Sequence, residues 1–258
     1  MISGTPFPLP ASIGPLDAMQ EALLKQAVEI HPLFSLGLGC LLLLLSSTVS
    51  AETTTDSALW GGGLFLFERD KGLDYSVEYQ IRLGDHMSSL SSHFLEFAGY
   101  RKTNPSLLLY GAYRYTRRPD HDENRLVFGG FWDLTKTISP IWSNPDRFKA
   151  VLQIGYQHDF DVEFDDELID SNSIRWVLVG SRPATETITP FFIAGVLTTW
   201  NDAYSFGVDK IRVGGGEGWK FTQRSRLRCQ YIFERAYFMT PEKKTHIIWL
   251  RYEMNLGK

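Results

Sequence analysis

His86 and Ser88 stand two residues apart, the spacing at which barrel-type lipid hydrolases set a base and a nucleophile on a membrane-facing strand. The context argues against that chemistry. Gly84-Asp85 before the pair and Ser88-Ser89 with Ser91-Ser92 after it read as a loop, and no third group is spaced to orient the imidazole. A solvated loop without catalysis is the expectation, and an outer-leaflet lipid hydrolase is the alternative. A second cluster, Asp159, Asp161, Glu163, Asp165, Asp166, Glu167 and Asp170, offers hard oxygen ligands for Ca²⁺ or Mg²⁺. Its sixth position is Phe164, where a calcium loop of the EF-hand type needs Gly, so a charged loop outside the membrane is expected.

The glycines of Gly214-Gly215-Gly216-Glu217-Gly218 do not fit the dinucleotide fingerprint, and no strand-to-helix switch surrounds them. They read as small residues on a barrel wall. No Cys/His spacing suits zinc. The sequence therefore calls for no catalytic residue, metal or cofactor.

The chain has 258 residues, 26 Lys+Arg against 30 Asp+Glu, and 43% hydrophobic side chains. That composition excludes disorder, and a net charge of -4 argues against an open nucleic-acid face. Two cysteines, Cys40 and Cys229, provide no disulfide framework. Aromatic residues reach 14%, with 22 glycines and a mean hydropathy of only -0.16.

The elements that would carry these residues are strands. Over 73–83, Leu73, Tyr75, Val77, Tyr79, Ile81 and Leu83 alternate with polar residues without a miss. Strands of soluble proteins usually stop at about 5 or 6 residues, whereas one tilted across a bilayer needs about 9 to 11. The same alternation recurs at 147–158, 221–234 and 245–256. In 221–234, Arg224, Arg226 and Arg228 form a ladder opposite Leu227, Cys229, Tyr231 and Phe233. Weaker segments lie at 59–68, 94–101, 107–116, 125–133, 174–182, 191–200 and 208–219, separated by turn residues such as Asn104-Pro105-Ser106 and Arg118-Pro119-Asp120. The segments number eleven. Bacterial single-chain barrels use even numbers, so ten or twelve is expected: either 59–68 is not wall, or 134–146 hides another strand.

Arg82, Arg125, Arg175, Arg212, Arg224, Arg226, Arg228 and Arg251 all read as mid-strand residues on the polar face. A wet or ion-paired interior accommodates them, with Glu78, Glu123 and Glu253 among the counter-charges. The opposite face, rich in Tyr, Trp, Leu, Ile and Phe, suits lipid with aromatic rings at its borders. Backbone groups in lipid must all be paired, so the sheet must close. The expectation is an all-β, single up-and-down transmembrane barrel of about 10–12 strands, its lumen lined by Glu78, Arg82, Glu123, Arg125, Arg212, Arg226, Arg228 and Arg251. A soluble barrel or sandwich shows similar alternation with the oily face turned inward.

Residues 33–45 form an apolar core too short for a membrane helix, and Val49-Ser50-Ala51 presents small side chains where a signal peptidase reads. A cleaved leader over 1–51 is expected, with Met19 as an alternative start and the barrel domain over 52–258; an uncleaved anchor using the uncharged stretch from Leu33 to Ala51 is the alternative. The mature chain would retain one thiol, Cys229.

The segments 73–83, Tyr110 to Tyr115, Glu123-Asn124-Arg125-Leu126, Asp209 to Val213 with Gly216 to Trp219, and 246–256 together resemble the bacterial family catalogued as domain of unknown function 2490. The resemblance runs through most of the chain after Trp60. It implies an outer-membrane β-barrel and brings no reaction; Arg125 and Arg212 fall where the family has its arginines. One departure is the ending Leu256-Gly257-Lys258, where such barrels often finish on an aromatic residue read by the assembly machinery.

The expected protein is thus a porin-like barrel in the outer membrane of a Gram-negative cell. Its role would be structural, or the passage or binding of a small solute through a charged, largely filled lumen. Its partners would be outer-membrane lipid, lipopolysaccharide and the barrel-assembly machinery, with no nucleic acid. A soluble periplasmic carrier of a hydrophobic ligand is a further alternative.

Overall fold

Strong period-two segments joined by short polar turns leave each strand next to its sequence neighbour, and a computed structural model shows the outcome. It describes residues 53–68, 73–135, 148–164, 167–201, 206–237 and 242–257. The leader with Lys25 and Cys40, the turns at 70–72 and 144–146, Arg147 and most of 134–146 lie outside them.

Eleven strands close into one barrel: β1 (Thr53–Phe67), β2 (Leu73–Gly84), β3 (Ser89–Asn104), β4 (Leu107–Arg117), β5 (Asp122–Asp133), β6 (Lys149–Phe164), β7 (Glu167–Ser181), β8 (Ile188–Asn201), β9 (Gly207–Lys220), β10 (Ser225–Ala236) and β11 (Glu242–Asn255). Each pairs antiparallel with the next, and β1 pairs parallel with β11 from Thr53↔Glu242 to Leu66↔Asn255.

That seam corrects the expectation of an even number. When each strand reverses its predecessor, the first and the eleventh run the same way and can pair only in parallel. Parallel ladders use evenly spaced, slanted bonds, which close the sheet without a further strand. The segment 59–68 therefore belongs to the wall among the described residues, and it starts earlier than its apolar part, at Thr53. Asp56 there is held by Lys243 of β11 at 2.8 Å.

The strands also outrun their apolar cores. β3 extends the expected 94–101 to Ser89 and Asn104 through mainly polar residues, and β7 extends 174–182 back to Glu167. Backbone pairing, which polar residues make as well as apolar ones, carries the ladder past the greasy stretch. Turn chemistry ends it. Asn104 Oδ1 accepts from the Ser106 amide at 2.9 Å, and Thr222 Oγ1 accepts from the Arg224 and Ser225 amides at 3.1 and 3.0 Å. Arg224 is thereby corrected: it sits in the β9–β10 turn, exposed, ahead of the strand that carries Arg226 and Arg228.

Alternation sorts the side chains. Phe65, Tyr75, Tyr79, Ile81, Phe97, Tyr113, Phe128, Tyr156, Trp176, Phe192, Ile248, Leu250 and Tyr252 are exposed on the outside, with Tyr79 at 42% and Phe128 at 58%. Their strand neighbours Ser76, Gln80, Phe94, Ala98, Val127, Gln157, Ser173, Gln230, Ile247 and Glu253 are buried, Phe94 to 2% and Ile247 completely.

Glycines make room on the inner wall. A Cβ on Gly216 would stand 2.1 Å from the Cys229 carbonyl oxygen of β10, and one on Gly155 would stand 2.3 Å from the Tyr110 hydroxyl. Tyr110 lies across Gly155 and accepts from Gln153 Nε2 at 2.9 Å. The run from Gly214 to Gly218 is thus part of β9, as a wall segment.

Candidate functional site: the charged lumen

The inner face carries acids and bases on neighbouring strands, and the register matches them. Arg226 of β10 stands opposite Glu253 of β11 and is bonded to it. Arg228 reaches the same carboxylate at 3.0 Å and Arg251 at 2.7 Å. Arg251 also extends across β1 to Glu78 of β2 at 3.6 Å. The β1 residue in its path is Gly62, which presents no side chain. Farther round, Glu96 takes Arg114 at 2.6 Å, Asp159 takes Arg125, and Glu234 takes Arg212. Glu123, at the inner edge of the β4–β5 turn, accepts from Arg118 at 2.6 Å.

Of the charged residues singled out in the sequence, Glu78, Arg226, Arg228 and Arg251 therefore meet in one network around Glu253. Glu123 and Arg125 belong to separate pairs, and Arg212 to the β9–β10 pair. Sequence reasoning passed over Glu96, Arg114, Asp159 and Glu234 as partners. Each stands directly opposite an identified inward residue, Glu96 opposite Glu78, Arg114 and Asp159 opposite Arg125, and Glu234 opposite Arg212, so knowing which strands pair and in what register was the missing part.

Arg82 stands apart. It has no carboxylate partner among the described residues; instead its guanidinium lies 4.5 Å from the centre of the Trp60 ring and 4.9 Å from that of Phe94. Arg114 lies 4.0 Å from the same Phe94 ring, and Arg212 lies 5.5 Å from Trp60. Trp60 in turn meets Trp249 edge-on at 6.1 Å, and Arg251 lies 4.7 Å from the Trp249 ring. Guanidinium planes and aromatic faces attract through the ring quadrupole, more so when shielded from water. Arginines and rings thus alternate on the inner face, Phe94, Trp60 and Trp249 being the rings that sequence reasoning did not single out.

The soluble-carrier alternative needs the apolar stripe inside around a hydrophobic ligand. Exposed Tyr75 and Tyr79 stand on the outside, and Gln80 and Ser76 between and beside them are buried.

His86 and Ser88 lie in the four-residue β2–β3 connection, where Asp85, His86 and Met87 all have positive φ. The His86 amide donates to Asp56 Oδ1 at 2.9 Å, and the Ser88 hydroxyl donates to the Asp85 carbonyl at 2.5 Å. The hydroxyl is committed to Asp85 of its own turn, its carbonyl and its Oδ2 at 3.2 Å, and makes no hydrogen bond to the imidazole among the described residues. In the acidic run, Asp159 is taken by Arg125 and Asp170 lies 3.7 Å from His158. The side chains of Asp161, Glu163, Asp165, Asp166 and Glu167 lie outside the described residues. No group of metal-holding side chains occurs among the described residues.

No protein-family model matches the chain, and no curated protein matches it. Among solved structures, a bacterial polysaccharide outer-membrane secretin is similar at TM-score 0.46 and 13% identity, over 70% of this chain and 63% of that one. The NanC porin is similar at TM-score 0.43 and 8% identity, over 69% of this chain and 86% of that one. The β domain of the Bordetella autotransporter BrkA is similar at TM-score 0.41 and 11% identity, over 65% and 78%.

Proposed function

We propose that the chain is a bacterial outer-membrane β-barrel, exported by a cleaved leader, whose charged and largely filled lumen binds a small solute or lets it pass in a restricted way. The observation that carries this reading is the sorting of the two faces on one closed sheet: exposed rings and aliphatic chains outside, paired charges inside. In water the outer face would hold far more apolar surface than a soluble monomer leaves open. In lipid it meets acyl chains, and closure leaves no unpaired edge. Lipid and lipopolysaccharide are then its surroundings, and the barrel-assembly machinery inserts it; likeness to the family catalogued as domain of unknown function 2490 is part of the same proposal.

Eleven strands make a narrow bore, and arginines stacked on Trp60, Phe94 and Trp249 reach into it from the inner face. Large steady conductance is therefore not expected. The test is extraction and gel migration. The chain should leave membranes only with detergent and run at a different mobility before and after boiling. A chain released in soluble form by osmotic shock, with no heat shift, would overturn the reading, and large steady currents in planar bilayers would overturn the filled lumen.

A further inference from the structure

The inward carboxylates Asp56, Glu78, Glu96, Glu123, Asp159, Glu234 and Glu253 each hold at least one cation. Two inward arginines are left over: neither Arg82 nor Arg175 has a carboxylate partner among the described residues. The charged neighbours that weigh most on Arg82 are the cations Arg114, Arg212, Arg125 and Arg118, while Glu78 and Glu234 act on it without pairing with it. Arg212 is likewise the strongest charged neighbour of Arg175. Because Arg82 and Arg212 share the Trp60 ring, their guanidinium carbons are no farther apart than their two ring distances combined.

The neutral polar groups around them are short of acceptors too. Gln230, Trp249, Trp60 and Arg82 stand in one continuous row across β10, β11, β1 and β2, with Gln80 two residues along β2. In that row and beside it, Gln230 Nε2, Trp249 Nε1, Arg82 Nε and Gln80 Nε2 are sealed from solvent and have no hydrogen-bond partner among the described residues. All four are nitrogens that donate and cannot accept. Unsatisfied buried donors and a buried cation without a paired carboxylate are each costly, and one species answers both: an anion rich in acceptor oxygens.

We infer that the lumen binds a small oxyanion, a carboxylate or phosphate group, in the middle of the barrel, with Arg82 and Arg175 supplying charge and Gln80, Gln230 and the Trp249 indole supplying further hydrogen bonds. Guanidinium forks match the paired oxygens of both groups, which is why the two sources share one site. Trp60 and Phe94 hold the Arg82 plane in place, so the fork is ordered before the anion arrives.

This rests on the barrel reading for the route by which a solute reaches the site. The test is calorimetric titration of the detergent-purified full chain at fixed ionic strength, with inorganic phosphate in one arm and acetate in the other, and acetamide as the neutral match in shape. Saturable one-to-one binding is expected for at least one oxyanion and none for acetamide. Arg82→Gln and Arg175→Gln should each weaken it at least tenfold, and Arg117→Gln, on the exposed outer side of β4, should leave it unchanged. Arg82→Lys keeps the charge without the fork and should bind more weakly than the native chain while preserving the fold, so the idea is testable even if Arg82→Gln does not assemble. Heats that never saturate, acetamide binding as well as acetate, or equal weakening by Arg117→Gln would overturn the inference and leave the donors to water. A chain that shows the heat shift and binds neither anion defeats this inference alone; one that stays soluble defeats the membrane reading.

Discussion

Replacing Glu253 with Gln keeps the shape of the most connected carboxylate in the lumen and removes its charge. Glu253 is 2% exposed and takes Arg226, Arg228 and Arg251. The three arginines do not lose equally. Arg226 is 47% exposed, so solvent screens its share to about 0–1 kcal/mol. Arg251 retains Glu78 at 3.6 Å, while Arg228 has no other carboxylate among the described residues. Breaking a fully buried pair from one side costs about 3–5 kcal/mol, and partial exposure of the arginines places Glu253→Gln at the lower end, about 3 kcal/mol. That is about a hundredfold in the unfolding equilibrium. Urea unfolding in lipid vesicles, followed by tryptophan fluorescence, should show a lower midpoint with an unchanged slope. A loss below about 1 kcal/mol, or Arg226→Gln alone costing as much as Glu253→Gln, would refute the reasoning.

Gly216→Ala should lower the temperature at which the gel band shifts, because its Cβ meets the Cys229 carbonyl oxygen at 2.1 Å, and overpacking of this kind costs about 1–3 kcal/mol. Gly61→Ala, with nothing within 4 Å of the new carbon, should leave that temperature unchanged. Phe128→Arg on the outer wall should destabilise the barrel in vesicles by about 2–4 kcal/mol if it lies near mid-bilayer, and a neutral effect would remove Phe128 from the lipid face. For the parallel seam, Ser57→Cys with His246→Cys in a Cys229→Ser background should crosslink on oxidation, since the two residues are paired in register. Pairing Ser57→Cys with Leu250→Cys should not crosslink, and the reverse outcome would contradict the β1–β11 register.

How far the sequence alone reached differs between fold and site. Leu73 to Leu83 alternates without a miss, and β2 covers that span with one further residue, Gly84. Thr53 to Ser57 could not be read as strand because their side chains carry no apolar signal; only pairing with β11 orders them. The closure was out of reach for the same reason, since strand count fixes the direction of the seam and local pattern does not. In the lumen, parity marked Arg82, Arg212 and Arg251 as inward residues. That Arg82 would stack on Trp60 and Phe94 while Arg212 found Glu234 depends on which side chains share a level of the barrel, and this is set by register across strands distant in sequence.

Everything turns on which face of the sheet meets acyl chains, and brominated lipid measures that face. Trp176 is 44% exposed on the outer wall, whereas Trp249 lies inside against Trp60 and Arg251. In vesicles of brominated phospholipid, Trp176→Phe should remove a large part of the quenched emission and Trp249→Phe should remove almost none. Loss of quenching with Trp249→Phe and not with Trp176→Phe would mean that the arginine-bearing side faces outward, contrary to this structure.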